Sequence, residues 1–79
     1  MKKIDVIIES GTDKRFEAVI DPDKDYGLTF GLFGEGKSVE ECIDDFYTSV
    51  NEMKEYYNEL GKEFPEMEFI FAYNTASFL

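Results

Sequence analysis

The hydrophobic positions change their period near residue 38. Before that point they alternate. Residues 4–9 place Ile4, Val6 and Ile8 on one side of an extended segment. Residues 15–21 place Phe16, Ala18 and Ile20 on one side and Glu17 and Val19 on the other. Residues 28–33 do the same with Leu28, Phe30 and Leu32, which puts Gly31 inside the third run. Turn-forming stretches separate the three runs: Ser10-Gly11-Thr12-Asp13, and the Pro-containing segment from Asp21 to Gly27. Three strands with short connections predict an antiparallel meander.

After Ser38 the apolar residues Val39, Ile43, Phe46, Val50, Met53, Tyr57 and Leu60 recur at steps of three and four. That is a single stripe on a helix of about six turns, roughly 33 Å long. Ser38 followed by Glu41 is a capping box that opens the helix. Gly61 is placed to close it, and Pro65 blocks its continuation. Residues 67–73 alternate again, with Met67, Phe69, Phe71 and Tyr73 on one side. The expected fold is therefore α+β in the order β-β-β-α-β: a three-stranded antiparallel meander, a long helix and a fourth strand, with the helix on one face of the sheet. A connection this long permits the fourth strand to run parallel to one of the first three.

One helix covers one face. The covered face is expected to hold Val6, Ile8, Phe16, Ala18, Ile20, Leu28, Phe30, Leu32, Phe69 and Phe71. The opposite face would carry Ile7, Val19, Phe33, Ile70 and Ala72 among Asp5, Glu17 and Thr29. Single apolar residues on a surface need no partner. A whole sheet face left without a covering layer does, which makes Ile7, Val19, Phe33 and Ile70 the candidate interface for a second copy or another protein.

Seventy-nine residues make one domain, 1–79, with a thin core. The single cysteine, Cys42, excludes an internal disulfide. The chain has no histidine, which removes the commonest general base and metal ligand. A free thiol, with neither a spanning apolar run nor a signal peptide, points to the cytoplasm and away from membranes. Eight basic against eighteen acidic residues leave a net charge of −10. Such a domain is repelled by nucleic acid and anionic lipid and attracted to a basic protein.

Two stretches resemble ligand sites. Gly31–Ser38 fits G-x-x-x-x-G-K-[ST], the phosphate-binding loop. A strand position for Gly31 would shorten that loop, Glu35 would sit among the phosphates, and Asn74 stands where a metal-holding acid would be needed. The competing assignment makes Gly34 and Gly36 the bend between strand and helix, with Ser38 and Glu41 as the cap. Asp21, Asp23 and Asp25 alternate as in a calcium loop, but the sixth and twelfth positions are Tyr26 and Leu32 rather than Gly and Glu. They are read as a Pro-initiated turn with solvated carboxylates, and no cofactor or metal is assigned. Acidic neighbours oppose a Cys42 thiolate, so an inert thiol is expected. Asp44, Asp45, Glu52, Glu55 and Glu59 form an outward-facing acidic helix surface.

The β-β-β-α-β order, the glycine-rich bend and the stretch Gly36-Lys37-Ser38-Val39-Glu40-Glu41-Cys42 resemble the HicB-like antitoxin domain. That family often shows G-x-[ST]-x-E-E-A there, and Cys42 stands where Ala is usual. The start, Ile4–Glu9 and then Phe16–Ile20, fits the same pattern. The resemblance implies a partial ribonuclease-H-like domain without nuclease activity. Such a domain neutralises a small basic HicA-like toxin, commonly as a homo-oligomer. It also implies that the C-terminal DNA-binding segment many members carry is missing beyond Asn74–Leu79, so this segment would not itself bind nucleic acid. An orphan dimerisation or regulatory domain of a transcriptional regulator is the alternative, and a nucleotide-binding protein built on Gly31–Ser38 the other.

Overall fold

A computed structural model describes residues 1–73. The elements are β1 (Lys2–Ser10), β2 (Phe16–Ile20), β3 (Phe33–Gly36), α1 (Val39–Glu59) and β4 (Met67–Tyr73), with a short 3-10 turn at Thr12–Lys14 between the first two strands. They form one four-stranded sheet in the order β3-β2-β1-β4. The first three strands are an antiparallel meander, and β4 returns through α1 to lie parallel to β1. The fold is the expected α+β arrangement with the helix packed on the sheet.

The core lies between α1 and the sheet. Ile4, Val6, Ile8, Ala18, Leu32, Cys42, Phe46 and Val50 are buried in it. Phe46 is its centre. Its ring meets Phe69 and Phe71 edge-on, with centroids 5.1 and 5.5 Å away, a favoured aromatic geometry. A second cluster joins Phe30, Tyr57 and Phe64 at 5.2–5.7 Å and ties the segment before β3 to the end of the helix.

α1 begins where the capping box places it. Ser38 is extended (φ −134°), and its hydroxyl accepts the Glu41 N–H at 3.1 Å. The Glu41 carboxylate accepts from the Lys37 N–H at 2.9 Å, one residue earlier than in the usual reciprocal pair. At the far end, Gly61 has φ +69°. Its N–H donates to Asn58 O and the Lys62 N–H to Tyr57 O, which is the Schellman closure. Ser38→Ala should lower stability by about 1 kcal/mol. Chemical denaturation measures this, and an unchanged midpoint would show that the cap contributes nothing.

The third strand departs from expectation. Of the expected strand at residues 28–33 only Phe33 is in a strand; β3 occupies Phe33–Gly36. Residues 21–32 form a connection in which Leu28, Phe30 and Leu32 still reach the core, with Leu32 buried. Alternation marked the inward side correctly, but it does not distinguish a strand from an extended segment without a partner. Gly31 is therefore outside the strand. Gly34 and Gly36 are within it, not in a bend after it. Both face the helix. A Cβ on Gly34 would lie 2.4 Å from Cys42 O and from Phe46 N, and one on Gly36 would lie 2.5 Å from Glu41 Cβ. Only glycine admits so close an approach of helix to strand.

Candidate functional site

The face of the sheet away from α1 carries no layer among the described residues. Strand alternation decides what it shows: the odd-numbered residues of β1, β2 and β3, and the even-numbered residues of β4. Register then orders them. Ile7 pairs with Val19, Val19 with Phe33, and Ile7 with Ala72. An apolar row thus crosses all four strands, about 14 Å from end to end at the usual strand spacing. Ile70 lies beside this row, opposite Asp5. Phe33 and Ile70 are 45% and 42% exposed, whereas Ile7 and Val19 are half-buried by their neighbours. The four candidate interface residues are therefore brought together on one surface.

Two residues further along, Glu9 pairs with Glu17 and Glu17 with Glu35. This acidic row runs beside the apolar one, about 7 Å away. Directly opposed like charges are unfavourable in a sheet. Arg15 offsets part of the cost through an ion pair with Glu35 at 3.6 Å. Among the described residues no cation lies within ion-pair distance of Glu9 or Glu17. Sequence reasoning did not find this row. Alternation put Glu9 and Glu17 on the correct face, but Glu35 joins them only through the true position of β3.

The opposite flank is differently charged. Asp5 makes an ion pair with Lys24. Its carboxylate also accepts from the Tyr26 hydroxyl at 3.1 Å, and that hydroxyl accepts from the Asp5 N–H at 3.0 Å. The Lys24 hydrogen bond, followed by the Tyr26 one, holds the Asp5 carboxyl below its ordinary pKa, and the same ion pair raises Lys24. This contact fastens the 21–32 connection to β1. Its acids serve the backbone: Asp21 accepts from the Asp23 N–H and Asp25 from the Gly27 N–H, both at 2.9 Å. These are Asx turns.

Gly31–Ser38 does not form a cradle. The Phe33 N–H donates to Ser49 Oγ at 3.3 Å, the Glu35 N–H to Asp45 at 2.9 Å and the Lys37 N–H to Glu41 at 2.9 Å. The amides a phosphate would need are already engaged, two of them by carboxylates. Asp45 is thus not merely solvated, although it is exposed with Asp44, Glu52, Glu55 and Glu59. Cys42 is fully buried, and its thiol lies 3.7 Å from Gly34 O. Burial, with Asp45 and Glu17 nearby, raises its pKa, which disfavours the nucleophilic thiolate. Asn74 and the chain end to Leu79 lie outside the described residues. No helix among the described residues is long and apolar enough to cross a membrane.

No family model matches the chain, and no curated protein or solved structure matches it.

Proposed function

We propose that this chain is a non-catalytic protein-binding domain, the toxin-neutralising or regulatory domain of a HicB-like antitoxin, acting in the cytoplasm on a small basic protein. The observation that carries the reading is the open sheet face, where an apolar row lies beside three opposed glutamates. The apolar row supplies desolvation energy, and the acidic row selects a cationic partner and speeds its approach. The orphan-regulator version uses the same face and differs only in having no toxin as its partner.

This reading expects a neighbouring gene for a small basic, HicA-like protein, and the test is calorimetric titration with that protein. Phe33→Glu puts a carboxylate at one end of the apolar row, on a residue already 45% exposed, so the fold should survive. Affinity should fall about tenfold or more, the loss of roughly 1.4 kcal/mol or more expected when a buried contact becomes an unpaired charge. It should also fall with added salt. Binding indifferent to both Phe33→Glu and salt would refute the proposed face.

A further inference from the structure

The two edges of the sheet are treated differently. At the β3 edge, side chains of α1 take the outward amides: Ser49 accepts from Phe33 and Asp45 from Glu35. That edge is closed to another strand. At the β4 edge the direction of the backbone groups follows from one bond. The Lys2 N–H donates to Glu66 O, so the even-numbered peptide groups of β4 face β1. Those of Met67, Phe69 and Phe71 face outward, where no further strand pairs with β4 among the described residues. Natural edges are protected by charge, proline, bulges or short length. β4 is 7 residues long, and its stretch Phe69-Ile70-Phe71-Ala72-Tyr73 has no charge, proline or glycine.

We infer that β4 pairs antiparallel with β4 of a second copy of this chain, joining the two sheets into one. A two-fold axis at Ile70 overlaps the whole strand, Met67 to Tyr73. It sets Ile70 against Ile70 of the second copy and Phe69 against Phe71. Both residues of the Phe69–Phe71 pair have outward peptide groups, as hydrogen bonding requires. Glu68 meets Ala72 rather than another carboxylate, so this register keeps like charges apart. On the helix side, a groove of about 760 Å³ between α1 and the start of β4 includes Met67. Tyr73 of the second copy falls opposite Met67, beside that groove. The pairing uses the edge and leaves the open face available, so it stands apart from the proposed function.

The test uses the full chain assembled by chemical ligation at Cys42, with N-methyl-Phe71 in one version and N-methyl-Phe69 in another. Each methyl removes one outward N–H per chain and leaves the side chains and the bonds to β1 in place. Light scattering should give the mass of two chains for the unmodified protein and of one chain for either modified one. The dimer dissociation constant should rise about tenfold or more. In the unmodified protein the Phe69 and Phe71 amides should exchange with solvent as slowly as Ile70. Because each chain carries −10, salt should tighten this dimer while it weakens the complex with a basic protein. A monomeric unmodified chain, a methylated chain that stays dimeric, or rapid exchange at Phe69 and Phe71 would overturn the pairing. Phe33→Glu should remain dimeric; a monomer there would assign the contact to the open face instead.

Discussion

Gly34→Ala should cost the domain a large share of its stability. The added methyl would sit 2.4 Å from Cys42 O and Phe46 N and 2.7 Å from Phe46 Cα. These are backbone atoms in the middle of a hydrogen-bonded helix, so no side chain can swing aside. α1 must lift from β3 or β3 must leave the sheet, and either movement opens the packing around Phe46. Overfilling a core costs about 1–3 kcal/mol and occasionally more. A clash against helix backbone belongs at the upper end, about 3 kcal/mol. The entropy gained by stiffening the unfolded chain is about 0.4–1 kcal/mol, too small to offset it. A domain of this length is held by about 4–12 kcal/mol in all. Thermal unfolding followed by circular dichroism should show a fall of roughly 12–24 °C. Gly31→Ala is the control: nothing lies within 4 Å of its Cβ position, and its midpoint should not fall. If Gly34→Ala melted with Gly31→Ala, the close contact between α1 and β3 would be wrong.

Phe46→Ala should have an effect of similar size by the opposite route. Phe46 is fully buried and touches aromatic residues on α1 and β4. Truncating it removes the largest side chain of the core and leaves a cavity between helix and sheet. Such changes cost about 3–5 kcal/mol, again a large share of the total. The far-UV helix signal should be lost at a much lower denaturant concentration than in the unmodified protein. A cost below about 1 kcal/mol would mean that the ring lies outside the core.

Much of the architecture was legible because local chemistry and burial agreed. The helix boundaries followed from Ser38, Glu41 and Gly61, each of which satisfies backbone groups close by in sequence. β4 was legible from alternation alone. The third strand was misplaced because Leu28, Phe30 and Leu32 alternate toward the core without pairing to β2. Inward direction is a matter of burial, whereas strand membership depends on hydrogen bonds to residues far away in sequence. The same limit turned Gly34 and Gly36 into a bend. Their role is to admit α1, and the sequence around a glycine does not say what comes near it.

The candidate face divides in the same way. Ile7, Val19, Phe33 and Ile70 could be assigned to one side of the sheet by parity. Their alignment into a row, the convergence of Glu9, Glu17 and Glu35 beside it, and the closing of one sheet edge by Ser49 and Asp45 needed the register. By itself, then, the sequence determined the element order, the helix and its caps, the apolar side of each segment and the acidic character. The tertiary structure decided which strands meet, in what register, and which surfaces are left over. Periodicity and capping act within a few residues of one another, whereas pairing joins residues whose separation along the chain carries no signal of their meeting.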